Sequence, residues 1–231
     1  MTKNHLKRIA VPKTWKLERK QNRYITRAYP GAHQLGYALA LSVVMRNLIK
    51  CVKTRKEAKY VLTNTQVLID GSRVQDDKTP VGFMDVITFT QTNESFRLVL
   101  DTFGCLKAIA IKPEEKKKKP SRIFGKTIVA RKKTQLNMDD GRNIFVDKDE
   151  YKVGDTLVLE IPGQKISERL PLEKGMLIYL VAGKHIGAVG KLADISGTKI
   201  TVKTDKENFE TLKEYAFVIG KEKPCIALES K

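Results

Sequence analysis

The chain has 231 residues, with 44 Lys and Arg against 26 Asp and Glu, for a formal net charge of +18. At this length 41% apolar residues can bury a core, so wholesale disorder is excluded and one large or two to three small domains are expected. The uncharged segment Ala32 to Met45 contains His33, Gln34, Gly36 and Ser42 and falls short of the ~20 apolar residues a membrane helix needs.

Residues 1 to 36 read as a basic arm. Single anchors, Leu6, Ile9, Val11, Trp15, Leu17, Tyr24 and Tyr29, alternate with cations, and Pro12, Pro30 and Gly31 interrupt any long helix. Trp15 has two readings of equal weight, an anchor docked on the protein or a platform for a base. The first 60 residues hold 15 Lys and Arg against only Glu18 and Glu57, a net +13.

From Leu41 the apolar residues Leu41, Val44, Met45, Leu48 and Val52 recur at helical steps, which predicts a helix with an apolar inner side. Arg46, Lys50 and Lys53 follow on a different side as a cationic stripe. Thr54-Arg-Lys-Glu57 has the pattern of a capping box, so a second helix is predicted from about Arg55, with Ala58, Val61 and Leu62 inward. Arg55, Lys56 and Lys59 in its first turns oppose the helix dipole, a conflict expected of a phosphate-binding surface.

Val67-Leu-Ile-Asp-Gly-Ser-Arg-Val74 predicts a hairpin turning at Asp70-Gly71, and residues 81 to 87 predict a return strand. Strands then alternate with turns up to Ile111. Residues 112 to 122 are expected as a Pro-bracketed linker or exposed loop, and residues 112 to 133 carry a net +8. Residues 123 to 163 read again as strands. From Lys174 onward short β-branched runs punctuated by glycine suggest a small closed barrel. Residues 61 to 111 and 134 to 231 total −2 and −1, so two segments carry more than the entire net charge.

Such segregation favours a polyanion over a bland solvated surface, where acids and bases would intermix. An anionic membrane fits less well, since membrane-surface helices need large exposed apolar faces. Cys51, Cys105 and Cys225 are odd in number and far apart, which fits a reducing, cytoplasmic compartment and no disulfide framework. The N-terminus lacks the apolar region of a secretory signal. His5, His33 and His185 share no ligand spacing, so no metal or cofactor is expected. Gly190-Lys191 fails the P-loop pattern, and no nucleophile motif is present, so no catalytic role is expected.

Several motifs carry a resemblance: His5-Leu-Lys-Arg8, Pro12-Lys-x-Trp15, Pro30-Gly31-x-His33, Leu48-Ile-Lys50, Val67-Leu-Ile-Asp-Gly71 and Pro80-Val-Gly-Phe-Met-Asp-Val-Ile87. With Asn208-Phe209 and Phe217-Val-Ile-Gly-Lys221, they make the whole chain similar to the small-subunit ribosomal protein S-four-e family of archaea and eukaryotes. Lacking a basic extension after the last glycine-rich segment, the chain resembles the archaeal form. The resemblance implies an α+β, mostly β fold: an N-terminal arm (1–38), an alpha-L RNA-binding module (39–105), a central β domain (106–172) and an SH3-like small barrel with a KOW motif (173–231).

It also implies a structural, non-enzymatic protein that binds small-subunit ribosomal RNA beside neighbouring ribosomal proteins, with no small-molecule substrate. The candidate RNA contacts in the arm are Lys3, His5, Lys7, Arg8, Lys13, Trp15, Lys16, Arg19, Arg23, Arg27 and His33. On the helix pair they are Arg46, Lys50, Lys53, Thr54, Arg55, Lys56 and Lys59, and in the linker Lys116, Lys117, Lys118 and Lys119. Lys184 and Gly187 follow on the KOW loop, where Gly183, Gly187 and Gly190 would let backbone approach RNA. One alternative is an RNA-modifying or other translation-associated enzyme with an alpha-L domain. Another is a protein-interaction module, for which neutralising Lys50, Lys53 and Arg55 would leave partner binding intact.

Overall fold

The computed structural model describes residues 5–129, 133–147, 149–204 and 207–228; Lys3 lies outside them. The chain divides into two compact units, Met1–Leu100 with Cys105–Lys117, and Asp101–Gly104 with Lys118–Lys231. Both are dominated by antiparallel strands, so the α+β, mostly β reading describes the whole chain.

In the first unit the expected arm is part of the fold. Strand β1 (Leu6–Lys7) pairs with β2 (Tyr24–Ile25), and a 3-10 turn (Arg8–Ala10) follows β1. Trp15 is 2% exposed and its Nε1 donates to the Leu35 carbonyl at 3.2 Å. Its ring is core, which settles its two readings for docking and removes it from the RNA contacts. A second 3-10 turn (Leu35–Tyr37) leads to β3 (Ala38–Ala40), which pairs with β6 (Pro80–Gly82).

Helix α1 (Leu41–Val43) runs directly into a π-helix (Val44–Ile49), and Lys50 closes it in the left-handed region at φ 63°. The expected continuation to Val52 is therefore cut short. The wider π turn lets the Lys50 N–H reach the Met45 carbonyl, and the Cys51 N–H bonds the same oxygen at 3.1 Å. Lys50 caps the segment and Lys53 lies beyond it, so the cationic stripe along one helix face does not form. Val52 is still buried, from the following loop.

Helix α2 (Arg55–Asn64) starts where the capping box places it. Thr54 Oγ1 accepts from the Glu57 N–H at 3.2 Å, and Glu57 Oε2 accepts from Thr54 at 3.4 Å and Lys53 at 2.8 Å. These backbone bonds, Lys53 first, then the Thr54 hydroxyl, hold the Glu57 carboxyl below its ordinary range. Ala58 and Leu62 are fully buried.

The sheet of this unit has the order β5 (Ser72–Arg73), β4 (Val67–Ile69), β7 (Val86–Phe89), β8 (Glu94–Leu100), β9 (Leu106–Ala110). Asp70 and Gly71 make the β4–β5 turn at φ 49° and 76°, as the sequence predicts. The single strand expected over 81 to 87 is broken: β6 and β7 join through a turn at Met84, φ 66°. Buried Asp85 stabilises this turn by accepting from the Gly82 N–H at 2.7 Å. Because β9 pairs with β8, the first unit extends past residue 105 to Lys117.

The expected linker divides between the units: residues 112 to 117 end the first without a strand, and residues 118 to 122 are strand in the second. After a 3-10 turn (Glu115–Lys117), β10 spans Lys118–Val129. Its first half pairs with β13 (Thr156–Glu160) and its second half with β11 (Lys133–Met138). Pro120, which lacks an N–H, lies opposite Val158 in the half of β10 that pairs with β13. The sheet order is β12 (Asn143–Val146), β11, β10, β13, β14 (Lys165–Leu170).

A second five-stranded sheet follows, in the order β18 (Asn208–Leu212), β17 (Lys199–Lys203), β16 (Val189–Ser196), β15 (Leu177–Leu180), β19 (Ala216–Gly220). Strand β18 was not among the sequence-predicted strands, since Asn208-Phe-Glu-Thr-Leu212 has little apolar alternation. Val158, Leu170 and Leu172 join Ile178, Leu180, Leu192, Val202 and Val218 in one core. The Val218 N–H also donates to Thr156 Oγ1 at 3.2 Å. Residues on both sides of the expected boundary at 172 therefore pack together.

Candidate nucleic-acid interface

The first unit brings four segments together around Asp77. The Leu41 and Ser42 N–H groups, which open α1, donate to the carbonyls of Thr79 (2.9 Å) and Asp77 (3.0 Å). The Tyr29 N–H donates to the Lys78 carbonyl at 3.0 Å, laying the arm beside this loop. From α2, Arg55 bonds the Asp77 carboxylate through Nε and Nη2, at 2.6 and 3.2 Å, and Lys59 Nζ lies 3.7 Å away. Burial alone would push the Asp77 carboxyl up, but the Arg55 bonds and the Arg55 and Lys59 charges outweigh it and hold it below the ordinary range. The Arg55 guanidinium is raised in turn, first by its bond to Asp77.

One buried carboxylate thus positions two cations whose outer faces remain exposed. Lys53 and Lys56 are exposed beside them, and Lys78 lies over the Tyr29 ring at 5.0 Å. Tyr29 is 48% exposed. The other end of the arm repeats the arrangement: Arg23 lies 5.3 Å over the exposed Tyr24 ring, and His5 meets that ring edge-on at 5.6 Å. Tyr24, Tyr29 and Lys78 were not among the sequence-predicted contacts. The alternation of tyrosine with basic residues in the arm was their only signal.

Arg8 and Arg46 are electrostatic neighbours. Arg46 is half-buried and its guanidinium is lowered, first by burial and then by the Arg8 charge. Arg8 itself is 2% exposed and donates to the carbonyls of Asn22 (3.2 Å) and Glu18 (3.0 Å). It stitches the arm to itself and offers no surface to a ligand.

Of the other arm positions, Lys7, Lys13, Lys16 and Arg19 are exposed and Arg27 is half-buried. Arg19 donates to the carbonyls of Ile9 and Pro12, both at 3.3 Å. His33 turns inward, its Nε2 2.9 and 3.0 Å from the two oxygens of buried Asp85. It locks the end of the arm to the turn before β7 and leaves the candidate contacts. Thr54 spends its hydroxyl on the cap of α2.

Lys117 and Lys118 are exposed and Lys116 is half-buried, whereas Lys119 is 1% exposed and pairs with buried Asp140 at 3.0 Å. Residues 119 to 121 of β10 are buried in succession, so Lys119 is not a surface cation. In the second unit Lys184 is exposed on the turn before β16. Gly187 has φ 78°, and a Cβ there would lie 2.6 Å from the Asp101 carbonyl oxygen. Protein backbone already occupies the close approach that the resemblance assigns to RNA.

The assembled surface is a field of Lys and Arg with a few aromatic rings. Among the described residues no group of three His, Cys, Asp or Glu side chains could hold a metal ion. No helix among the described residues is long and apolar enough to cross a membrane.

Residues 92–166 match Ribosomal family S4e, and residues 2–36 match the RS4NT (NUC023) domain. The chain is 39% identical to small ribosomal subunit protein eS4 of Methanosphaera stadtmanae, covering 98% of this chain and 96% of that one. This chain belongs to the S4e family. The eS4 of Methanocaldococcus jannaschii is 38% identical over 98% of both chains. The crystal structure of 30S ribosomal protein S4e from Thermoplasma acidophilum superposes with a TM-score of 0.71 at 32% identity, covering 80% of this chain and 96% of that one. As an S4e protein of the archaeal type, the chain is a structural ribosomal protein and not an enzyme.

Proposed function

We propose that the chain binds small-subunit ribosomal RNA within the ribosome, through the solvent-facing cations of residues 5 to 59 together with Lys116, Lys117 and Lys118, beside other ribosomal proteins. One observation carries the reading: the first 60 residues hold 15 Lys and Arg against two acids. Glu57 is spent on the cap of α2 and Asp77 engages Arg55 and Lys59 from the buried side, so most of the field is left for a partner to neutralise. A polyphosphate covers such a surface and releases counterions on doing so. Arg55 and Lys59, steered by Asp77, meet phosphates at the start of α2, and Tyr24 and Tyr29 lie against sugars or unpaired bases.

The α1–α2 pair followed by the sheet of β4, β5, β7, β8 and β9 supports an alpha-L module that starts near residue 39 and, with β9, runs past the expected end at 105. The five strands β15–β19 support an SH3-like barrel with a KOW segment over residues 173–231, after an arm over 1–38 and a central β domain that begins at Lys118 in place of the expected 106 and runs to about 172. Lys184 belongs to the KOW turn as an additional phosphate contact.

The test is a filter-binding titration of purified full-length chain with small-subunit ribosomal RNA across a salt series. The expected result is tight binding at low salt that weakens about a thousandfold between roughly 50 and 200 mM. Absence of binding at low salt overturns the reading.

A further inference from the structure

The second unit carries an open sheet edge in surroundings unlike the cationic first unit. Strand β12 (Asn143–Val146) pairs only with β11 among the described residues, so one side of its backbone is unpaired there. Natural edges are blunted by proline, an inward charge or a bulge. The sequence Asn143-Ile-Phe-Val146 has no proline or charge, and its register with β11 is unbroken.

The two faces of this edge differ. Ile144 and Val146 turn to the core with Leu136 and Met138. On the opposite face Thr127, Gln135 and Phe145 form one cross-strand row. Gln135 donates to Asn137 at 2.8 Å and Asn137 to Thr127 at 3.1 Å, so the polar members hold one another. Phe145, 60% exposed, is the apolar group left on that row.

Charge decides between RNA and protein as the occupant. From Asp139 to Glu150 the sequence holds five acids against Arg142 and Lys148, a net −3 in a chain of +18. Arg142 is turned to buried Asp140, Nε to Oδ2 at 3.2 Å. The Asp147 side chain is 85% exposed and meets Lys133 at 3.5 Å, a surface pair that leaves both charges hydrated. Asp149, paired with Lys126, is also exposed. With Lys133 and Lys126 held by Asp147 and Asp149, the strip offers a polyphosphate few free cations, whereas the cations of a Lys- or Arg-bearing polypeptide can exchange for these weak surface partners.

We propose that β12 is a docking edge for an extended, basic segment of another protein chain. The segment adds as a strand beside Asn143–Val146, sets an apolar side chain against Phe145 and brings its cations to Asp147, Asp149 and Glu150. Main-chain bonds supply affinity in this mode, and alternate side chains supply specificity. The proposal rests on the ribosomal reading for where the partner is found.

The test uses small subunits isolated from cells whose only copy of this chain is wild type, Phe145→Leu or Phe145→Asp, studied by electron cryomicroscopy and quantitative mass spectrometry. The expected result is a Lys- or Arg-bearing strand of another protein hydrogen-bonded along β12. Phe145→Asp should lower the occupancy of that one protein about fivefold, while Phe145→Leu retains it and the chain itself stays bound. RNA, solvent or a contact without main-chain pairing at β12 overturns the proposal and leaves the ribosomal reading intact. Absence of the chain from the particle overturns both.

Discussion

Arg55 grips Asp77 through two bonds, Nε to Oδ2 at 2.6 Å and Nη2 to Oδ1 at 3.2 Å, across 22 residues of sequence. The carboxylate is buried and the guanidinium half-exposed, so the pair anchors α2 while it aims a cation outward. Replacing Asp77 with Asn should destabilise the first unit by about 1–3 kcal/mol, because one charged partner is lost and the amide cannot accept both bonds. Because the Asp77 carboxyl is held below its ordinary 3.8, its contribution is complete above that value and is lost as pH falls through the folded-state value. Urea unfolding near pH 7 should show the full difference between Asp77→Asn and wild type, and the difference should shrink at about pH 2. A difference that grows on acidification would contradict the assignment.

The cap of α2 and the Asp70-Gly71 turn were legible because their causes lie within four residues of their effects. Thr54 and Glu57 satisfy each other locally, and a Gly at φ 76° follows from the turn itself. Lys119 was illegible for the opposite reason. Its partner Asp140 lies 21 residues away, and Pro120 beside it suggested a linker where a strand forms. Arg8 and His33 misled in the same way: both are basic residue types in the arm, and each is buried by partners well away in sequence, Asn22 and Glu18 for Arg8 and Asp85 for His33. Composition located the cationic unit, and tertiary pairing decided which of its cations face solvent.

Lys117 and Lys119 make that distinction measurable. Lys119→Ala should destabilise the second unit by about 2–4 kcal/mol by leaving Asp140 short of a buried partner, although Arg142 limits the loss. Folded Lys119→Ala should keep the wild-type salt dependence of RNA binding. Lys117→Ala should leave stability within about 0.5 kcal/mol and lower the magnitude of the log–log salt slope by about 1. Chemical unfolding and filter binding on the same two variants check both halves.

Trp15 separates docking from stacking. Trp15→Ala removes a buried indole and should cost about 3–5 kcal/mol. Trp15→Phe keeps most of the apolar volume and loses the bond to the Leu35 carbonyl, for a cost of about 1 kcal/mol. Because the ring is enclosed by protein, Trp15→Phe should leave RNA affinity unchanged within about twofold. A larger loss of affinity in the folded variant would show that the indole reaches RNA.

Lys50 breaks a local rule in a way that its charge explains. It occupies the left-handed region at φ 63°, where an L side chain is disfavoured and glycine is the usual occupant at the end of a helix. Its N–H already satisfies the Met45 carbonyl, so the backbone requires only the conformation and gains nothing from the lysine itself. Lys50→Gly should therefore raise stability by about 0.5–1 kcal/mol and at the same time weaken RNA binding, with the salt slope reduced by about 1. Lys50→Ala keeps the unfavourable backbone and loses the charge, so it should weaken RNA binding as much without any gain in stability. Thermal unfolding beside filter binding separates the two outcomes. If Lys50→Gly bound RNA as tightly as wild type, the exposed lysine would have no role at the interface.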